Sequence, residues 1–236
     1  MGEATGVALA DFETNDESQL DTVVEEGGNT FTVGAGGALH GSYGATLEFD
    51  GTNNDCYGEI EFAETDEMYA RMYIKFGADF GCNTSLGTIL ALRDSSGVVV
   101  YLTTYDSGTG LTWRRFYYTT DSGSAFVALG DAISLDTTYL IEIHFKAATG
   151  AGNNDGQAHC WINGVSEASV ENIDNDTEVV NRCRFGGSGA QIPTDGSLIY
   201  IDDCKLDTSY IGAYSAAAGT TYIPQMMAYY ARLHGD

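Results

Sequence analysis

The sequence predicts an all-β fold, an antiparallel sandwich. Three observations predict it. Short segments alternate apolar and polar residues with a period of two, the mark of a half-buried strand. Clusters of Asp, Ser and Gly separate them at intervals of about 8–12 residues, a spacing typical of sandwiches and barrels. A helical period is absent until the last two dozen residues.

Strand patterns run over residues 9–13, 30–33, 45–49, 57–62 and 68–76. In the last of these Met68, Ala70, Met72, Ile74 and Phe76 share one face, and Tyr69, Arg71, Tyr73 and Lys75 share the other. Further strands read at 88–93, 98–105, 111–119, 126–129 and 139–146. Asp94-Ser95-Ser96-Gly97, Asp106 to Gly110 and Asp121-Ser122-Gly123-Ser124 lie between them. Asp and Ser bond nearby backbone there, and Gly supplies positive φ. At 158–165, Asn163-Gly164 between strand residues predicts a hairpin with a type I′ turn. Strands at 182–185 and 197–206 complete the series.

The chain has 236 residues, 34 acidic against 10 basic, for a net charge of −24. A field of that sign repels nucleic acid and anionic membrane surfaces, so neither is an expected partner. It also disfavours polyanionic glycans unless the few Arg and Lys cluster. No run of 18 apolar residues exists to form a membrane span. Residues 1–6 have neither the basic nor the apolar region of a Sec signal. The expected location is extracellular or on a virion surface. The five cysteines, Cys56, Cys82, Cys160, Cys183 and Cys204, contain no C-x-x-C pair, which argues against zinc. Small buried side chains and one or two disulfides both remain open for them.

Near the start stands Ala10-Asp11-Phe12-Glu13-Thr14-Asn15-Asp16, and near the end Leu198-Ile199-Tyr200-Ile201-Asp202-Asp203-Cys204-Lys205-Leu206. With the strand order and the Asn-Gly hairpin, these resemble the concanavalin A-like lectin/glucanase jelly rolls, laminin-G-like modules among them. The resemblance implies that the first and last strands pair, over about residues 8–212. It also implies a structural calcium site: Glu13 and Asp203 as ligands, with Asp11 or Asp202 assisting. Alternation along a strand predicts that Asp202 and Asp203 face opposite ways.

Residues 1–212 read as the sandwich and 213–236 as a linker with a docking helix or arm. In that tail Met226, Tyr229, Tyr230 and Leu233 form an apolar stripe at helical spacing. So short a helix must pack on something, either its own sandwich or a neighbouring subunit.

Four constellations bear on chemistry. Glu59, Glu61 and Glu64 imperfectly match the glucanase pattern E-x-D-x-x-E, whose chemistry needs two carboxylates ~5 Å apart. Glu61 replaces the middle Asp and no tryptophan flanks the run, so an exposed acidic strand face is expected. A polysaccharide lyase of this fold needs a Tyr, a His and an Arg or Gln. Gln191-Ile192-Pro193 has Pro where the His belongs, and His144, between Ile143 and Phe145, reads as packed. A glycan platform is the third, with Tyr101, Trp113, Tyr117 and Trp161 as rings, and Trp113, Arg115 and Tyr117 sharing one strand face. The oxygen-rich run Asn172–Glu178 lacks EF-hand spacing and reads as a loop. Within it, Asn175-Asp176-Thr177 matches a glycosylation sequon.

No catalytic set emerges. The expectation is a non-enzymatic surface structural or adhesive protein, such as a virion decoration or appendage subunit, with cell-surface glycans and other structural subunits as partners. The alternative is a soluble carbohydrate-binding module or lectin, and after it a lyase or glucanase.

Overall fold

A computed structural model describes residues 8–82, 87–106, 108, 110–188 and 193–213. The fold is two antiparallel sheets packed face to face. The strands are β1 (Ala8–Ala10), β2 (Thr22–Glu25), β3 (Thr30–Gly34), β4 (Gly44–Phe49), β5 (Cys56–Thr65), β6 (Glu67–Phe76), β7 (Gly87–Arg93), β8 (Val98–Asp106), β9 (Leu111–Thr120), β10 (Gly123–Ala128), β11 (Thr138–Lys146), β12 (Gly156–Ile162), β13 (Val165–Ile173), β14 (Val180–Ser188) and β15 (Ser197–Asp207). Sheet A runs β13-β12-β11-β6-β15-β4-β3, and β1 also pairs with β15. Sheet B runs β10-β9-β8-β7-β14-β5-β2. The first and last strands therefore pair, Ala8 opposite Leu206 and Ala10 opposite Cys204.

The core fills the space between the sheets. Met68, Ala70, Met72, Ile74 and Phe76 of β6 are all at most 1% exposed, as their alternation predicts. Ile141, Ile143 and Phe145 of β11 join them from sheet A. Leu90 and Leu92 of β7, with Cys183 and Phe185 of β14, face them from sheet B. All five cysteines are buried; burial pushes the Cys56 thiol up to about 12. Asn163 and Gly164 have φ of 54° and 76°, as a type I′ turn requires. The same hairpin continues into β13, and β2 pairs with β5; neither segment stands out in the sequence.

Several register shifts interrupt the strand period, and two of them decide where candidate site residues fall. In β15 the register slips between Asp202 and Lys205, and Asp203 takes φ +48°. Asp202 and Asp203 consequently both serve the outer side of sheet A, where strict alternation separates them. In β9, Trp113 pairs with Thr104 and Arg115 with Thr103, so Arg114 is the extra residue. Trp113 and Arg115 therefore lie on opposite faces.

Two loops cover much of the outer face of sheet A. Asp202 accepts the Leu39 and His40 N–H groups at 2.8 and 2.7 Å. Glu13 Oε1 accepts those of Ser42 and Tyr43 at 2.7 and 3.1 Å, so two carboxylates hold one loop. Glu142 accepts the Ile211 and Gly212 N–H groups at 2.7 and 2.9 Å. Arg71 donates to the Gly212 carbonyl at 3.0 Å and pairs with Asp203 at 2.6 Å. Beneath these loops Arg71, Glu142, His144, Asp202 and Asp203 are buried. Sheet B keeps its polar outer face half-exposed.

Candidate functional site

The outer face of sheet B carries a continuous row of side chains across six strands. Registers place Glu59 (β5) beside Arg184 (β14), Arg184 beside Ala91 (β7), Ala91 beside Tyr101 (β8) and Tyr101 beside Tyr117 (β9). Phe126 of β10 follows Tyr117. Adjacent rows add Tyr57, Arg93, Arg115 and Arg182. The inward neighbours of these residues, Gly58, Leu90, Leu102 and Phe116, are buried. Alternation then puts the polar set outside.

At one end of the row sits a carboxylate ringed by guanidinium groups. Glu59 is 4% exposed. Its Oε2 accepts from Arg93 at 3.1 Å and from Nε and Nη2 of Arg184 at 3.3 Å each. Arg182 lies 3.8 Å from its Oε1 and 3.4 Å from Glu61. Arg184 also lies 3.6 Å over the Tyr57 ring. At the other end Tyr101 and Tyr117 stack, centroids 4.5 Å apart and 5° from parallel. Arg115 Nη1 donates to the Tyr117 hydroxyl at 2.8 Å, and its guanidinium lies 4.2 Å over Phe126, which is 47% exposed. Burial raises the Tyr101 phenol above its ordinary range.

Of the four rings expected to form a glycan platform, Tyr101 and Tyr117 come together here. Trp113 does not join them: it is 1% exposed and packs on Phe76 and Tyr139 in the core. Its place is set by the Arg114 bulge. Trp161 lies on the outer face of sheet A, against His159 and Tyr210, on the other side of the sandwich. His144 is also there, 1% exposed, stacked on Tyr69 at 3.9 Å and bonded to Glu67 at 3.0 Å. Burial holds its imidazole down at about 4. It cannot serve a site on sheet B.

The run expected to be an exposed acidic strand face is instead split. Glu59 is buried under arginines, whereas Glu61, with a side chain 50% exposed, and the exposed Glu64 fit that description. Arg93, Arg182 and Arg184 were not singled out from the sequence. The usable signal is Arg182-x-Arg184, two of ten basic residues on one strand face. Gln191, Met226, Tyr229, Tyr230 and Leu233 lie outside the described residues.

The carboxylates expected to bind calcium do not converge. Glu13 and Asp202 hold backbone N–H groups, Asp203 pairs with Arg71, and Asp11 accepts from Gln19 at 2.8 Å. Among the described residues one three-carboxylate cluster exists: Asp121, Asp174 and Asp176, with ligand atoms within 4.8 Å of one another. It joins the β9–β10 turn to the β13–β14 loop. Burial, then Asp121, raises the Asp176 carboxyl. Hard cations favour such oxygen sets, so these three could hold one. Asn175 of the sequon is 1% exposed and bonded to Ala148 N and Lys146 O, which closes it to glycosylation in the folded state.

No protein-family model matches the chain, and no curated protein matches it by sequence. Among solved structures it is similar to an endo-β-1,4-glucuronan lyase from the fungus Trichoderma reesei, with TM-score 0.63 and 14% identity over 87% of this chain and 96% of that one. It is similar to the cellulose-induced protein Cip1, with TM-score 0.61 and 15% identity over 87% and 99%. It is also similar to alginate lyase vAL-1 from Chlorella virus, with TM-score 0.56 and 13% identity over 87% and 100%. The sandwich is thus a concanavalin A-like jelly roll, as the paired termini imply. At these identities the likeness concerns fold alone.

Proposed function

We propose that the chain binds an acidic polysaccharide, one bearing uronate carboxylates, across the outer face of sheet B. One observation carries this. In a chain of net charge −24, Arg93, Arg115, Arg182 and Arg184, four of the ten basic residues, converge on the face that also holds Tyr57, Tyr101 and Tyr117. Guanidinium groups match carboxylates bidentately, and aromatic rings stack on the C–H faces of sugars. Two of the similar structures are by name a glucuronan lyase and an alginate lyase, which supports the reading.

The test is calorimetric titration with polymannuronate, polyglucuronate and a neutral cello-oligosaccharide. The acidic chains should bind and the neutral one should not. Arg184→Gln should weaken binding about tenfold, the effect of one charge-assisted hydrogen bond. Equal binding of neutral and acidic chains would overturn the proposal.

One contact favours a second reading, cleavage by β-elimination. The Arg115 guanidinium, donating to the Tyr117 hydroxyl at 2.8 Å, fixes that oxygen on the face where a uronate would lie. Tyr117 can then take the proton from C5 of a uronate whose carboxylate an arginine neutralises. The C4–C5 double bond forms, the C4–O bond breaks, and the departing oxygen takes up a proton. Ultraviolet absorbance of the unsaturated product reports this, and Tyr117→Phe should abolish it while binding persists.

Binding without product fits the non-enzymatic role instead, a surface adhesive or structural subunit such as a virion decoration protein. Assembly through residues 213–236 belongs to that role. Light scattering with and without those residues tests it, and an unchanged mass sinks it.

A further inference from the structure

We infer that Glu59 is a positioning residue, which holds Arg93, Arg182 and Arg184 as one anion site and sets its charge so that carboxylated glycans are selected over sulfated ones. The inference rests on the acidic-polysaccharide reading and deepens it.

Glu59 and the three arginines come from three strands. Glu59 is on β5, Arg182 and Arg184 on β14, and Arg93 on β7. Three guanidinium groups brought together repel one another unless something between them is negative. Glu59 is that group, with both oxygens directed at arginines and 4% of the residue exposed. Tyr57 holds Arg184 from the other side at 3.6 Å. A buried carboxylate among arginines is weak evidence of stability, since apolar side chains of similar volume often do as well. What it supplies here is orientation.

Each guanidinium offers five N–H groups. Arg184 gives two to Glu59 and Arg93 gives one, the Nε of Arg93 is buried, and the 14–35% of the three side chains that stays exposed is what a ligand can reach. Within the salt-bridged set the charges sum to +3 from the arginines and −2 from Glu59 and Glu61, leaving +1, with Asp94 next to Arg93 outside that set. One uronate carboxylate neutralises that, and its planar pair of oxygens matches a guanidinium fork. A sulfated sugar carries charge on tetrahedral groups, often more than one per residue, and exceeds what the site compensates.

The experiment compares binding of a polymannuronate oligosaccharide and a carrageenan oligosaccharide of equal length, across a range of salt, to the whole chain and to Glu59→Gln. The wild type should prefer polymannuronate. Glu59→Gln raises the site to +2, so that preference should fall at least ~10-fold and the dependence of log K on log salt should steepen by about one released ion. Glu59→Asp keeps the charge and shortens the reach. It should restore the salt dependence while polymannuronate still binds more weakly than to wild type. A merely structural role would move neither the preference nor the salt slope. If Glu59→Gln does not fold, Arg182→Gln at the rim gives the opposite sign, a slope shallower by about one. A wild type that binds no acidic glycan refutes the acidic-polysaccharide reading and this inference with it. A wild type that binds polymannuronate, with unchanged preference and slope in the variants, overturns the role of Glu59 alone.

Discussion

Arg71→Met should cost the protein a large part of its stability and leave glycan binding untouched. The Arg71 and Asp203 side chains are 1% and 3% exposed, and they meet at 2.6 Å. Removing one member of a buried pair costs about 3–5 kcal/mol, because the remaining charge keeps its desolvation penalty. The lost bond to the Gly212 carbonyl adds about 1 kcal/mol. The sum, about 4–6 kcal/mol, is substantial against the ~5–15 kcal/mol of an ordinary domain. For a chain of this length each kcal/mol shifts Tm by about 2–4 °C, so the midpoint should fall by about 8–24 °C. Urea unfolding at constant m gives the free energy directly. Arg71→Met combined with Asp203→Asn should recover most of the loss, because no charge is then stranded and Asn tolerates the positive φ at this position. Polymannuronate affinity of the folded variant should equal wild type, since Arg71 lies on sheet A. A loss below about 1 kcal/mol would refute the argument that this pair pins the loop at 208–213.

The other predictions concern the core, acidity and metal. Trp113→Ala should destabilise by about 3–5 kcal/mol, as a large core truncation does, and leave the affinity of folded protein unchanged; weakened binding at full stability would put Trp113 in the site. Burial holds His144 at about 4 against an ordinary 6.5, so between those values the unfolded chain binds more protons, and stability falls as pH drops. The loss amounts to about 3 kcal/mol, and His144→Gln should flatten that limb in denaturation curves taken from pH 7 to 4. Burial pushes Asp202 the other way, up to about 7, so its contribution is present below the ordinary carboxylate range and fades as pH rises toward 7. Asp202→Asn should abolish that opposing slope. Calcium should raise the Tm of wild type by mass action and not that of Asp174→Asn; identical curves with calcium and with chelator would exclude a cation at Asp121, Asp174 and Asp176.

How far the sequence could be read depended on whether the period of two held. It holds along β6, so Met68 to Phe76 fall in the core as expected. The Asn163-Gly164 turn is legible because only a few residue types tolerate its positive φ values. Pairing of the termini follows from the family resemblance. The errors sit at the bulges. One extra residue at Arg114 sends Trp113 inward while Arg115 and Tyr117 stay outside, and no local pattern announces it. A second, at Asp203, puts both aspartates on the same side of sheet A, so a pair that resembles a calcium site serves as a loop anchor.

The missing part of the candidate site has a different cause. Glu59 and Arg184 are 125 positions apart and meet only because β14 pairs with β5. Arg93 joins them because β7 flanks β14 on its other edge. A strand face is legible from its own alternation, but a site built across strands needs the strand order, which sequence periodicity does not contain. The charge composition carried a partial substitute. With ten basic residues in the chain, two on one strand face are a partial hint of where positive charge gathers, although Arg71 and Lys75 on β6 give the same hint for the other sheet. Arg182 and Arg184 gave that hint. Their convergence with Arg93 around Glu59 makes an anionic ligand compatible with a strongly acidic protein, since the local field at that face is set by charges a few ångströms away and screened from the distant carboxylates.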